Sequence, residues 1–146
     1  MASVLFVLNG PNLNLLGTRE TAVYGAMTLD GIRQLCEAAA AKHQMTIDFR
    51  QSNHEGELVD WLHEAREKAK GVVINPGAYT HTSIALQDAV RAIGVPVAEV
   101  HLSNIFAREE FRHHSYVSPV ARGVICGFGP EGYRLAIDGL AASLKS

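Results

Sequence analysis

The chain has 146 residues, 47% of them hydrophobic and 19% charged, with 13 Lys plus Arg against 15 Asp plus Glu and a formal net charge of −2. A composition this close to the globular average excludes intrinsic disorder, and the length suits a single domain spanning 1–146. The charge balance lacks the basic excess of a nucleic-acid binder. No apolar run nears the roughly 20 residues that cross a bilayer, and no signal segment opens the chain, so a cytoplasmic location without a membrane partner is expected.

Residues 3–8 form an apolar run predicted as the first strand. Thr28 suits the cap of a helix whose Leu29, Ile32, Leu35, Cys36 and Ala39 recur at helical spacing. Met45, Ile47 and Phe49 alternate as in a strand, and Leu58, Trp61, Leu62 and Ala65 mark a second helix. Residues 71–75 predict a short buried strand. Ile84, Ala85, Ala89 and Val90 predict a third helix ended by Gly94, followed by a strand over 95–101 with Pro96 near its start. A fifth strand is expected over 121–126, then a helix with Pro130 in its first turn and Ala136, Ile137, Leu140 and Leu144 inward. Cys36 and Cys126 are expected as small apolar residues rather than a disulfide.

Five alternations of strand and helix imply an α/β fold, a doubly wound, flavodoxin-like parallel sheet between two helical layers. Such sheets bind ligands beyond the carboxyl ends of their strands. Three of those ends carry polar groups: Asn9-Gly-Pro-Asn12, Asn75-Pro-Gly77 and His101-Leu-Ser-Asn104. Turn chemistry explains any single Asn, but not His101 or the coincidence of all three. Glu99 and His101 lie two apart on one strand and share a face. Glu99 either orients the His101 ring and strengthens its hold on a proton, or pairs with a loop.

The connection after the first strand is long, with a candidate lid over 18–27 that holds Arg19, Glu20 and Tyr24. Plain packing suffices for a tyrosine. To act as a base it would need a cation beside it, since its ordinary pKa is about 10.

The sequence closely resembles the type II dehydroquinases. The resemblance rests on NGPNLNLLGTRE from Asn9, Tyr24-Gly25, QSNHEGEL from Gln51, INPGAYTHTS from Ile74, EVHLSN from Glu99, REEFRHHS from Arg108 and GFGPEGY from Gly127. These motifs run in order through essentially the whole chain. The resemblance implies a flavodoxin-like enzyme that removes water from 3-dehydroquinate through an enolate, by anti elimination, without Schiff base, metal or cofactor. It implies Tyr24 as the base, Arg19 and Arg108 as cations near it, and His101 as the general acid. Asn12 would hold a water or the enolate oxygen. Asn75, His81 and Arg112 would grip hydroxyls, and Leu102 and Ser103 the carboxylate. Asp88 would reach a neighbouring subunit's site, in trimers assembled into a dodecamer.

The residue chemistry agrees. Elimination beside a ketone needs a base, an acid and a place for enolate charge. No lysine stands at a strand's carboxyl end, which argues against a Schiff base. Departures from the family pattern are Thr21 for a usual proline, Gln87 for a frequent arginine and Phe106 for a more usual polar residue. They bear on the lid and on assembly. Three rivals are weaker. GFGPEG from Gly127 fits a dinucleotide fingerprint but has only fourteen residues after Gly132. An FMN or receiver module does not explain the clustered Arg19, Tyr24, His81, His101 and Arg112. A metal site at His113 and His114 fails because adjacent helix residues diverge.

Overall fold

A computed structural model of the chain describes residues 3–18, 20–24 and 26–145, and for Thr21 and Tyr24 the backbone alone. Five strands, β1 (Ser3–Asn9), β2 (Met45–Gln51), β3 (Gly71–Asn75), β4 (Val97–His101) and β5 (Gly123–Cys126), form one parallel sheet in the order β2-β1-β3-β4-β5. Helices α1 (Thr21–Tyr24), α2 (Leu29–Ala41), α3 (Glu55–Lys68), α4 (Ile84–Ile93) and α5 (Glu131–Leu144) complete the chain. None of the described helices is long and apolar enough to cross a membrane.

The two-residue period of a strand sends alternate side chains to opposite faces. In β1, Leu5 and Val7 join Ile32, Cys36, Tyr133 and Ile137 on the α2/α5 side. Phe6 and Leu8 join Leu58, Leu62, Leu86 and Val90 on the α3/α4 side. The central strands are thus buried on both faces, which is why β1 and β3 read as continuous apolar runs, whereas β2 and β5 at the sheet edges are only partly covered. Thr28 caps α2 by accepting from the Gly31 N–H at 3.2 Å, and Ser83 caps α4 through the Leu86 N–H at 2.9 Å.

Four local expectations shift. β4 starts at Val97, because Pro96 has no N–H to give a ladder and contributes only its carbonyl, to Val72 N at 3.0 Å. β5 starts at Gly123, because the Ala121 N–H turns back to the Val117 carbonyl. In α4 the inward face is Leu86, Ala89, Val90 and Ile93, while Ile84 and Ala85 are exposed. The 18–27 loop contains one helical turn, α1. Cys36 is fully buried, with its thiol pushed up to about 12 by burial and by Glu37, and Cys126 is half-buried.

β1 and β3 are neighbours whose connections leave in opposite directions, to β2 and to β4. That reversal opens a crevice at their carboxyl ends. β2 is braced by Arg50, which donates to Asp48 at 2.8 Å and to Glu64 at 2.6 Å and lies over the Phe6 and Trp61 rings. The Arg50 hydrogen bond holds the Glu64 carboxyl at about 2, below its ordinary 4.5. A depressed carboxyl stabilises the fold above its ordinary pKa and loses that effect as pH falls through the folded value. Thermal melts of wild type and Glu64→Gln should therefore differ by a constant amount at neutral pH, with wild type the more stable. The gap should close between pH 4.5 and about 2. A gap that persists at the acid end would contradict this account of the brace.

Candidate active site

A cavity of about 110 Å³ occupies the crevice. Its walls come from three strand ends: Pro11, Asn12 and Leu13 after β1; Asn75, Gly77, Ala78 and His81 after β3; His101, Leu102 and Ser103 after β4. Arg108 and Arg112 close it from the loop beyond. The backbones of the first two ends meet closely, with Gly10 N–H bonded to the Asn75 carbonyl at 2.8 Å. A Cβ at Gly10 would lie 2.5 Å from the Pro76 oxygen, so only glycine fits there. Asn12 takes the left-handed conformation, φ 70°, with its N–H on Asn53 Oδ1 at 3.0 Å. Asn is among the few residues that tolerate that region.

Beneath the cavity runs a buried chain of amides. Asn75 Nδ2 donates to the Tyr133 hydroxyl at 2.9 Å, which donates to Asn9 Oδ1 at 2.7 Å, and Asn9 Nδ2 donates to the Arg50 carbonyl at 2.9 Å. Asn75 Oδ1 accepts from Gly77 N–H at 3.1 Å. Burial pushes the Tyr133 hydroxyl up and keeps it a neutral donor. With its oxygen and one N–H committed, Asn75 presents the remaining N–H as a donor of fixed orientation.

Glu99 is fully buried and His101 nearly so. His101 Nε2 lies 2.5 Å from Glu99 Oε2. Glu99 also accepts from Thr80 at 2.5 Å, Ser118 at 2.5 Å and Ser115 at 3.0 Å. Burial pushes the Glu99 carboxyl up, but hydrogen bonds from His101, Ser118 and Thr80, with the His101 charge, outweigh it and hold the group below its ordinary value. The orienting alternative for Glu99 is the one that the geometry supports. A carboxylate on Nε2 fixes the ring and leaves Nδ1 without a partner among the described residues. His81 stacks on His101 with centroids 6.4 Å apart and its Nδ1 on the His114 carbonyl at 2.7 Å. Burial, then the neighbouring His101 and Arg112 charges, push His81 below its ordinary value despite the His114 bond.

Arg112 is held by Glu109 at 2.6 Å. Leu102 and Ser103 line the same cavity, and their N–H groups donate to no carbonyl among the described residues. The glycines of GFGPEG use their N–H groups otherwise: Gly127 donates to the His101 carbonyl at 3.3 Å and Gly129 to the Leu102 carbonyl at 2.9 Å. That segment therefore braces the end of β4 and offers no phosphate cradle.

The structure brings together Asn12, Asn75, His81, Glu99, His101, Leu102, Ser103, Arg108 and Arg112. It does not bring Asp88, which is exposed on α4 outside the cavity with Arg91 3.9 Å away. Arg19 and the Tyr24 side chain lie outside the described residues. Gln87 donates to the Tyr116 carbonyl at 2.8 Å, tying α4 to the 113–118 loop, and Phe106 is exposed against the His113 ring. Sequence reasoning placed Asn9 at a strand end without a role and missed Tyr133, Thr80, Ser115 and Ser118. Their partners lie 16 to 124 residues away in the chain, and no local pattern marks such pairs.

Residues 3–141 match the family described as dehydroquinase class II. A 3-dehydroquinate dehydratase of Azorhizobium caulinodans is 62% identical over 98% of this chain and 97% of its own length. A "3-dehydroquinate dehydratase 1" of Agrobacterium fabrum is 64% identical over 96% and 97%. The crystal structure of a type II dehydroquinase from Propionibacterium acnes superposes with a TM-score of 0.93, at 43% identity, over 97% of this chain and 98% of that one.

Tyr133→Phe should strand the Asn75 and Asn9 amides and cost about 2 kcal/mol of stability, the usual penalty for buried groups left unpaired. Chemical denaturation measures it, and an unchanged stability would contradict the structural role of the amide chain.

Proposed function

The chain belongs to the class II dehydroquinase family and is a hydro-lyase with 3-dehydroquinate dehydratase activity in the shikimate pathway, and from that premise we propose how its residues divide the reaction. Water leaves 3-dehydroquinate to give 3-dehydroshikimate: a proton departs from C2, beside the C3 ketone, and the hydroxyl from C1. Tyr24, ionised beside Arg19 and Arg108, takes the C2 proton. The electron pair moves onto the C3 oxygen as an enolate, which Asn12 steadies directly or through a water. Collapse of the enolate forms the C1–C2 double bond and breaks the C1–O bond. His101, as an imidazolium, gives the departing hydroxyl its Nδ1 proton, so that it leaves as water and the ring is left neutral with Nε2–H. Glu99 holds the ring from the other side. Asn75, His81 and Arg112 bind hydroxyls, and the Leu102 and Ser103 N–H groups bind the carboxylate.

The observation that carries this division is the His101 ring itself, anchored through Nε2 on a buried carboxylate with Nδ1 unpartnered among the described residues, at a cavity lined by two arginines. A general acid needs such a nitrogen within reach of the leaving group. Two cations, and two backbone N–H groups that meet no carbonyl among the described residues, suit an anionic substrate and a developing enolate. No cofactor enters the scheme.

The proposed assembly is a dodecamer of trimers in which Asp88 completes a neighbouring subunit's cavity. Support comes from the exposure of Asp88 on α4, where Arg91 approaches it no closer than 3.9 Å.

Enone absorbance follows turnover of 3-dehydroquinate directly. Tyr24→Phe should lose at least about 100-fold in kcat, the scale of general-base catalysis, while substrate still binds. Near-wild-type kcat in that variant would remove Tyr24 as the base. Asp88→Asn should raise KM or split the assembly in light scattering. An active, tight-binding monomer of that variant would defeat the shared site.

A further inference from the structure

The Glu99 carboxylate is surrounded by side-chain donors, and the disposition of their protons is determined by geometry. Ser115 Oγ accepts the Val117 N–H at 3.1 Å and the Ser118 N–H at 3.0 Å, which uses both of its lone pairs. Ser115 therefore takes no proton from Thr80, 2.8 Å away, although the two hydroxyls touch. The Thr80 proton goes to Glu99 Oε2 and the Ser118 proton to Oε1, both at 2.5 Å. The Ser115 proton goes to the carboxylate, at 3.0 and 3.2 Å, or to Thr80. A proton placed on Glu99 would meet these hydrogens head-on unless a hydroxyl turned away. The remaining contact, His101 Nε2, is thereby also a donor.

We infer that Thr80, Ser115 and Ser118 are positioning residues for the dehydration, holding Glu99 as a hydrogen-bond acceptor so that His101 keeps its Nε2 proton and exchanges only the proton on Nδ1. The inference rests on the proposed role of His101 as the acid. Glu99 and His101 share β4, but the three hydroxyls come from elsewhere: Thr80 from the turn after β3, Ser115 and Ser118 from the loop beyond Arg112. Thr80 also ties the two segments by its backbone, since its carbonyl accepts the Tyr116 N–H at 2.7 Å. The same cage thus anchors the arm that carries Arg112 to the strand that carries the acid. Without it, the His101 ring could pass its Nε2 proton to Glu99. The ring would then be a neutral Nδ1–H imidazole, a weaker acid than the imidazolium that gives up its Nδ1 proton and keeps Nε2–H.

The pH dependence has a definite sign. Among the described residues, the charged and titratable groups around Glu99 are His101 on its own strand, His81 from the turn after β3, and Arg108 and Arg112 across the cavity. Activity requires Glu99 ionised, so it falls as Glu99 takes up a proton. Removing a donor makes that protonation easier and moves the acid limb to higher pH. Ser115 also bonds the backbone of its own loop, so Thr80→Val and Ser118→Ala are the cleaner variants.

The experiment is the pH profile of kcat for wild type, Thr80→Val, Ser118→Ala and Thr80→Ser, with Glu99→Gln and His101→Asn as controls and circular dichroism to confirm the fold. Thr80→Val and Ser118→Ala should each lower kcat roughly tenfold and raise the acid limb by about one pH unit, the scale of one hydrogen bond to a charged group. KM should change much less than kcat, and Thr80→Ser should recover most of the loss. A kcat lowered equally at every pH, with the limb unmoved, would overturn the inference. If both controls kept wild-type kcat, the acid role of His101 would fall, and the inference with it. If the controls lost turnover while Thr80→Val and Ser118→Ala kept the wild-type profile, the inference alone would fall.

Discussion

Taking a carboxylate out of water costs several kcal/mol unless its lone pairs are satisfied, and Glu99 lies wholly inside the protein on β4. Hydroxyls from two other segments and one imidazole meet that demand. The carboxyl end of the sheet is arranged accordingly. The turn after β3 supplies Thr80, and the arm bearing Arg112 returns to supply Ser115 and Ser118. The His101 ring is left with one orientation. On the proposed mechanism, a requirement of burial becomes a catalytic geometry: the group that most needs partners is the one that aims the acid.

The sheet order explains where this happens. With β1 and β3 side by side and their connections diverging, three strand ends converge on one small space. The backbone contact at Gly10 and the amide chain through Tyr133 fix the floor of that space. Asn75 then serves two purposes, locking the turn after β3 and offering a donor to a ligand.

Much of this was legible in the residues. Alternating apolar runs and helical stripes gave the fold class, since a doubly wound sheet buries both strand faces. Polar residues at the ends of β1, β3 and β4 marked the site, and the spacing of Glu99 and His101 put them on one strand face. Local detail failed where a tertiary demand overrode a propensity. Pro96 lies outside β4 for want of an N–H, and Ile84 faces solvent because the helix turns Leu86 inward. The hydroxyls around Glu99 and the amide chain were invisible, because serine, threonine and tyrosine carry no periodic signal and their partners are distant in the chain. The roles of Tyr24, Arg19 and Asp88 came from family resemblance, and the chemistry of a single chain did not require them.

The account turns on which nitrogen of His101 keeps its proton once the acid has given one up. Nitrogen-15 NMR of histidine-labelled enzyme, with and without the product 3-dehydroshikimate, reads it directly. The neutral ring should show a protonated Nε2 and a bare Nδ1, and the product should perturb the Nδ1 signal alone. A ring protonated on Nδ1, or a product effect confined to Nε2, would contradict the claim that buried Glu99 aims the acid.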